Sequence, residues 1–127
     1  MNGQVIWITG LSGAGKTTLA EELNVLLQKK HMHPILLDGD VLRNIFAKGS
    51  VVKESYDRNS RINLALKYGI LSKTLSTQGF TVIIATISMF NEIYVWNRTN
   101  IKNYLNTQKV KILHIYAHLG TLIVLTS

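Results

Sequence analysis

The sequence predicts a three-layer α/β fold in which helices cover both faces of a central parallel sheet. Short runs such as Val5–Thr9 and residues 80–88 are apolar almost throughout, as strands buried on both faces are. Segments with helical periodicity separate these runs, so strands and helices alternate along the chain. A length of 127 residues suits a single domain, and we predict one domain over residues 1–127.

The first half of the chain predicts two strands and three helices. A strand over Val5–Thr9 precedes leucines at helical spacing, which predict a helix from residue 16 to about residue 30. After Pro34, residues 35–40 (ILLDGD) indicate a second buried strand that ends in acidic residues. A short helix over residues 41–47, a loop over residues 48–57 and a long helix over residues 57–78 complete this half, with Gly79 as a stop signal.

The second half predicts a strand over residues 80–88 and a helix over residues 91–105. Residues 110–117 (VKILHIYA) follow that helix at crossover spacing, so we expect them to add a fourth strand to the parallel sheet. Residues 121–125 predict a short fifth strand at an edge, or a partly exposed apolar end. Such an end would favour self-association, and a homodimer is one expected form.

Composition restricts the classes of partner. The formal net charge is +7, from 14 basic and 7 acidic residues, yet the basic residues form no run. We therefore expect a solvated surface that attracts small polyanions, and no nucleic-acid partner. The absence of cysteine, of a signal peptide and of an apolar run of about 18 residues favours a cytoplasmic protein without a membrane span.

A phosphate-binding loop follows the first strand. The segment GLSGAGKT (residues 10–17) satisfies G-x-x-x-x-G-K-[ST], with a strand before it and a helix after it. Glycines let successive backbone N–H groups converge on phosphate oxygens, Lys16 reaches the β- and γ-phosphates, and the Thr17 hydroxyl can bind Mg²⁺. A chance match on a glycine-rich turn is the alternative. The residues expected to bind ATP are Gly10, Leu11, Ser12, Gly13, Ala14, Gly15, Lys16, Thr17 and Thr18.

Charged residues follow the second strand and open the long helix. Asp38 and Asp40 should lie at the carboxyl edge of the sheet, where a carboxylate can hold a Mg²⁺-bound water or accept a hydroxyl proton. The alternative is that they only form a turn before a helix. Arg43 lies one helical turn after Asp40, and Arg58 and Arg61 repeat that spacing, which suits a pyrophosphate-like anion. Each arginine alone could be a surface residue.

These segments together resemble the adenylylsulfate kinases, P-loop kinases that move the γ-phosphoryl group of ATP to the 3′-hydroxyl of adenylyl sulfate. The resemblance rests on IWITGLSGAGKTTLA, LLDGDVLR, YDRNSRIN and VIIATIS. It implies that Lys16 and Asp40 are catalytic, with Asp40 as base or metal-water ligand and with Thr17 and Asp40 holding Mg²⁺. The acceptor-binding residues implied by the resemblance and the spacing are Asp38, Asp40, Arg43, Arg58, Arg61, Ile87 and Ser88.

Departures from the family pattern fall on the acceptor side. Arg61 replaces an acceptor-binding asparagine, and Lys53 stands where the family has a phenylalanine that stacks on the acceptor base. Met89, Phe90 and Asn91 replace Pro-aromatic-Arg. A different acceptor, such as the cytidine diphosphoramidate of surface-polysaccharide pathways, is therefore the alternative.

The resemblance covers residues 1–105, and residues 106–127 form a divergent or truncated tail. The family continues into a lid and an adenine-enclosing segment, so we expect a C-terminally incomplete fold. A nucleotide-binding remnant with little turnover is the alternative from another class. A nucleic-acid NTPase is disfavoured because the third strand ends in ATIS, without a Walker-B acid.

Overall fold

A four-stranded parallel sheet forms the centre of the computed structural model, which describes residues 3–10, 15–47, 57–107, 115–118 and 121–124. The elements in chain order are β1 (Val5–Thr9), α1 (Lys16–Lys29), β2 (Ile35–Asp38), α2 (Gly39–Ala47), α3 (Arg58–Thr77), β3 (Val82–Thr86), α4 (Asn91–Asn100), β4 (Tyr104–Thr107), β5 (Ile115–His118) and β6 (Thr121–Val124). The strand order in the main sheet is β2-β3-β1-β4, and every pairing is parallel. This confirms the predicted parallel α/β architecture.

Helices cover both faces of this sheet. On one face, Ile6 and Ile8 of β1 pack with Leu19 and Leu23 of α1. On the other face, Trp7 belongs to a cluster formed with residues of α2, α3 and α4. All residues of β1 and β3 are buried, because these two strands occupy the middle of the sheet and are covered on both sides. The three layers follow from this burial.

Three predicted elements had wrong boundaries. The strand predicted over residues 80–88 spans only Val82–Thr86. The second strand ends at Asp38, and Asp40 lies in the first turn of α2. The predicted helix over residues 91–105 ends at Asn100, where Ile101 becomes extended with φ −112° and ψ 119°. Asn103 then takes a left-handed conformation with φ 57°, and Tyr104 pairs with Val5 as the first residue of β4. The left-handed turn at Asn103, a conformation that asparagine tolerates, directs the chain into β4.

The prediction that residues 110–117 join the parallel sheet was also wrong where the structure describes them. The strand β5 pairs antiparallel with β6 in a separate two-stranded sheet, with Ile115 opposite Val124. Only residues 119–120 separate the two strands along the chain, and so short a connection permits antiparallel pairing only. The place beside β1 belongs to β4 instead. Residues 110–114 and 125 lie outside the described residues, as do residues 48–56 of the predicted loop.

Small and polar residues form the buried face of α3. Its buried residues are Ala65, Tyr68, Gly69, Ser72 and Ser76, and Gly69 lies against α4. A Cβ atom built on Gly69 would come 2.8 Å from Oδ1 of Asn97 and 3.0 Å from Cζ3 of Trp96. Asn97 is fully buried and has little room to move. The approach of α3 to α4 therefore depends on the missing side chain at residue 69.

Gly69→Ala should destabilise the protein even though alanine favours helices. The gain in helix propensity is about 1 kcal/mol, whereas overpacking a buried contact costs about 1–3 kcal/mol. We expect a net loss in the free energy of unfolding by urea titration. Asn63→Ala, on the exposed surface of α3, is the matched control. The double variant with Asn97→Ala should recover part of the loss. A more stable Gly69→Ala protein would show that α3 and α4 are not closely packed.

Candidate active site

The carboxyl ends of β1, β2 and β3 meet at one edge of the sheet. The register pairs Thr9 with Thr86 and Ala85 with Asp38, so these three strand ends lie side by side. The helix α1 leaves β1 over one face of the sheet, and α4 leaves β3 over the other. Such a switch point between adjacent parallel strands opens a crevice where ligands bind in α/β proteins. The segments after β1 and β3 therefore flank the crevice.

Residues at both ends of the phosphate loop lie in this crevice region. Gly10 is buried directly after β1, and Gly15 precedes α1 with φ 88°, a left-handed conformation that suits glycine. The helix starts at Lys16, which is half-buried, and Thr17 and Thr18 are exposed in its first turn. Gly15 caps α1 without a side-chain hydrogen bond, which leaves first-turn N–H groups available to an anion. Leu11, Ser12, Gly13 and Ala14 lie outside the described residues.

The segment Asp38-Gly39-Asp40 turns the chain from β2 into α2. Oδ1 of Asp38 accepts a hydrogen bond of 3.2 Å from the backbone N–H of Asp40. A Cβ atom on Gly39 would come 2.7 Å from the carbonyl oxygen of Ala85, so only glycine fits at this contact with β3. Asp38 therefore takes part in the turn that leads into α2. The Asp40 side chain is exposed in the first turn of α2.

Tyr68 links α3 to this turn. Its hydroxyl donates a long hydrogen bond of 3.5 Å to the carbonyl oxygen of Gly39. Burial raises the pKa of Tyr68 to about 12, which the charge of Arg43 opposes and that of Asp40 reinforces. Both predicted charged residues therefore lie close to one buried tyrosine.

Arg58 and Arg61 converge on the ring of Phe90. Their Cζ atoms lie 5.6 and 5.2 Å from the ring centroid, within the range of cation–π contacts. Phe90 lies just before α4, and its carbonyl oxygen accepts hydrogen bonds from Ile93 and Tyr94. Asp57 caps α3 by accepting a bond of 2.8 Å from the N–H of Ser60. The first turns of α3 and α4 are therefore adjacent, and we call Arg58, Arg61 and Phe90 the arginine–phenylalanine cluster.

Glu92 adds an acid to this cluster. Its Oε2 lies 2.6 Å from Nη2 of Arg58, and both side chains are about half exposed. A hydrogen bond from its own backbone N–H, and then the bond to Arg58, lower the pKa of Glu92, so the carboxylate is ionised at neutral pH.

Ile87 and Ser88 follow the end of β3, next to the point where Gly10 follows β1. Ile87 is 41% exposed, whereas Ser88 is buried and its Oγ lies 2.8 Å from Oγ1 of Thr86. The two predicted acceptor residues therefore differ in exposure. Ile87 presents an apolar surface to solvent, whereas the Ser88 side chain is buried. Thr9 of β1 contacts the hydroxyl of Tyr94 at 3.5 Å nearby.

All four main helices begin at this edge. The helices α1, α2 and α4 follow the strands β1, β2 and β3, and α3 ends shortly before β3 begins. Their N-terminal dipoles and the two arginines make the edge favourable for anions. The donors for Mg²⁺ fit the ion, because Thr17 and the two aspartates offer exposed hydroxyl and carboxylate oxygens. Among the described residues, no group of three or more His, Cys, Asp or Glu side chains comes together as a metal site.

Three residues of this region were missed by the sequence analysis. Tyr68 is one apolar position among many in α3, and Phe90 was recorded only as a departure from the family pattern. Glu92 is 34 residues from Arg58 in sequence, and no local spacing indicates that the two side chains meet. Only the packing of α3 against α4 brings them together.

The sequence matches a known family over nearly all of its length. The signature of the family described as adenylylsulphate kinase covers residues 2–123. The chain belongs to the adenylylsulphate kinase family. It is 48% identical over 103 residues to the cytidine diphosphoramidate kinase of Campylobacter jejuni, an alignment that covers 81% of this chain and 58% of that protein. It is 41% identical over 92 residues to the adenylyl-sulfate kinase of Chloroflexus aurantiacus, covering 72% and 47% of the two chains.

Solved structures of the family share the fold. The APS kinase CysC of Mycobacterium tuberculosis, solved in complex with AMPPNP and APS, superposes with a TM-score of 0.72 and 24% identity. That match covers 84% of this chain and 62% of the other. This member of the adenylylsulphate kinase family spans about half the length of the curated relatives it matches. No helix within the described residues is both long and apolar enough to cross a membrane.

Lys16→Ala should weaken ATP binding more than AMP binding, because Lys16 is expected to contact only the β- and γ-phosphates. Loss of a charged hydrogen bond should lower ATP affinity by roughly ten- to a hundredfold and leave AMP within about threefold. Calorimetric titration measures both affinities. Lys29→Ala, at the exposed opposite end of α1, is the control. Equal losses for ATP and AMP would remove Lys16 from the triphosphate site.

Proposed function

We propose that this family member transfers the γ-phosphoryl group of ATP to a ribose hydroxyl of cytidine diphosphoramidate. The choice of acceptor rests on sequence identity. The chain is 48% identical to the Campylobacter jejuni cytidine diphosphoramidate kinase and 41% identical to the adenylyl-sulfate kinase of Chloroflexus aurantiacus. The departures from the adenylylsulfate-kinase pattern support it, because they fall on acceptor-side residues such as Arg61.

The donor side would be the phosphate loop and the start of α1. Backbone N–H groups of the loop and of the first helical turn would bind the phosphates of ATP, and Lys16 would neutralise the β- and γ-phosphates. Mg²⁺, held by the Thr17 hydroxyl and through water by Asp40, would supply positive charge that offsets the phosphate oxygens. The buried Gly10 and the left-handed Gly15 fix the two ends of this loop.

The acceptor side would be the arginine–phenylalanine cluster with Arg43 and Ile87. The anhydride of the acceptor carries two linked anionic groups, and two guanidinium groups lie over one ring, that of Arg61 and that of Arg58, which also pairs with Glu92. Each guanidinium would donate to one anionic group. Ile87 would pack against an apolar part of the acceptor, while Ser88 would shape the pocket from within.

The transfer step would place the acceptor hydroxyl between Asp40 and the γ-phosphorus. The hydroxyl oxygen would form the new P–O bond while the bond from the γ-phosphorus to the β–γ bridging oxygen breaks and ADP leaves. Asp40 would accept the hydroxyl proton, and Lys16 would stabilise the charge that develops on the leaving phosphate. Arg43, which lies with Asp40 near Tyr68, would hold the acceptor on this side of the crevice.

Adenylyl sulfate is the second candidate acceptor. The family signature over residues 2–123 and the motifs LLDGDVLR and VIIATIS favour it. Its phosphosulfate is also a pair of linked anions, so the arginine–phenylalanine cluster suits it on charge alone.

A coupled ADP-release assay with each acceptor tests the proposed function. We expect acceptor-dependent ADP release with cytidine diphosphoramidate, and at least tenfold lower kcat/KM with adenylyl sulfate. The Lys16→Ala protein, which should lose turnover, is the control for contaminating kinases. The reverse preference would establish adenylyl sulfate as the acceptor. ADP release that neither acceptor raises above background would favour a nucleotide-binding remnant.

Asp40→Asn should lower kcat and leave the KM for ATP within about threefold, because a proton acceptor acts mainly in the transfer step. Loss of a general base typically costs about 10² to 10⁴ in rate. Steady-state kinetics with the preferred acceptor measure both constants, with Glu22→Gln on the exposed surface of α1 as the charge-matched control. An unchanged kcat would leave Asp40 as a turn residue.

A further inference from the structure

We propose that Glu92 is a specificity residue, whose carboxylate accepts a hydrogen bond from the terminal N–H₂ group of the acceptor. This inference rests on the proposed function. Glu92 would thereby select an acceptor that ends in a phosphoramidate over one whose terminal group offers no N–H donor. The residue lies in the first turn of α4, two positions after the phenylalanine on which both arginines converge.

Arg58 fixes the position of the Glu92 carboxylate. The separation of 2.6 Å between Nη2 of Arg58 and Oε2 of Glu92 places the acid directly beside a guanidinium that the acceptor anion would use. The Arg58 guanidinium in turn lies over Phe90, together with that of Arg61. An anionic group that binds the two arginines would therefore have Glu92 as a neighbour.

The charge of Glu92 makes it a pure hydrogen-bond acceptor. Its pKa is lowered by its own backbone N–H and by Arg58, so the carboxylate carries no proton near neutral pH. A carboxylate has about four lone-pair directions, and the contact with Arg58 does not use them all. Its side chain is 46% exposed, so a bound group can reach it.

The two candidate acceptors differ in what they offer this carboxylate. The terminal sulfate of adenylyl sulfate presents only oxygen acceptors, which an adjacent carboxylate repels. The terminal phosphoramidate has the same charge of −1, but its nitrogen carries N–H donors. Two arginines cannot distinguish groups of equal charge and similar size. A fixed carboxylate can distinguish them. In the complex with the phosphoramidate it accepts an N–H hydrogen bond, whereas in the complex with the sulfate its lone pairs face those of a sulfate oxygen.

The test compares two ligands that differ only in the donor. Cytidine diphosphoramidate and the analogue with a terminal P–CH₃ in place of P–NH₂ have equal charge and similar shape. We expect wild-type protein to bind the P–NH₂ ligand roughly ten- to a hundredfold more tightly in calorimetric titration. In Glu92→Met, which has no strong acceptor, the ratio should fall to within about threefold. In Glu92→Gln, whose amide oxygen still accepts, it should be intermediate.

The ratio of the affinities for the P–NH₂ and P–CH₃ ligands distinguishes the proposed contact from an effect of the ion pair with Arg58. Release of Arg58 changes the affinity for both ligands by the same factor, so it cancels in the ratio. Glu22→Met, on α1 across the sheet from α4, should leave the ratio unchanged. An equal ratio in wild type and Glu92→Met would overturn the role of Glu92 while leaving the proposed acceptor intact. Failure of wild-type protein to bind either cytidine ligand would overturn both proposals.

Discussion

The parallel pairing of β1 with β3 is the constraint on which the candidate site depends. Their register places Thr9 opposite Thr86, so the phosphate loop and the Ile87–Ser88 segment leave the sheet at the same level. The two strands are buried throughout, and side chains from both faces of the sheet hold them in place. A shift of one residue would move Trp7 onto the α1 face and Ile6 and Ile8 onto the other face, so close packing against the helices on each side fixes the register. The proposed donor and acceptor sides therefore face one crevice.

Close packing at two glycines positions the helices that hold the charged residues relative to these strands. Gly39 lies against the carbonyl oxygen of Ala85, which places the start of α2 on the end of β3. Gly69 brings α3 close to Asn97 of α4, and the first turns of these two helices then meet at the arginine–phenylalanine cluster. Gly39 and Gly69 thus set the distances between the elements of the site. The positive electrostatic character of this edge of the sheet results from that packing, because it brings helix N-termini and arginines to the same edge.

The residues that sequence reasoning predicted well are those with local signals. The strands β1 and β3, the start of α1 at Lys16 and the end of α3 near Gly79 follow from motif and periodicity. The start of β4 could not be predicted, because Ile101 and Leu105 continue the helical pattern although α4 ends at Asn100 and the chain turns at the left-handed Asn103. The pairing of β5 with β6 was missed because apolar content does not determine the direction of pairing. Glu92, Phe90 and Tyr68 depend on contacts between distant segments, which one sequence does not reveal.

A crystal structure of the chain with a non-hydrolysable ATP analogue and cytidine diphosphoramidate would test the central claim most directly. That claim is that donor and acceptor bind on the two sides of the crevice between β1 and β3. We expect the triphosphate at Lys16 and the start of α1, the acceptor anhydride at Arg58 and Arg61, and a ribose hydroxyl between Asp40 and the γ-phosphate. Binding of the acceptor away from the arginine–phenylalanine cluster, with its ribose remote from Asp40, would contradict the account.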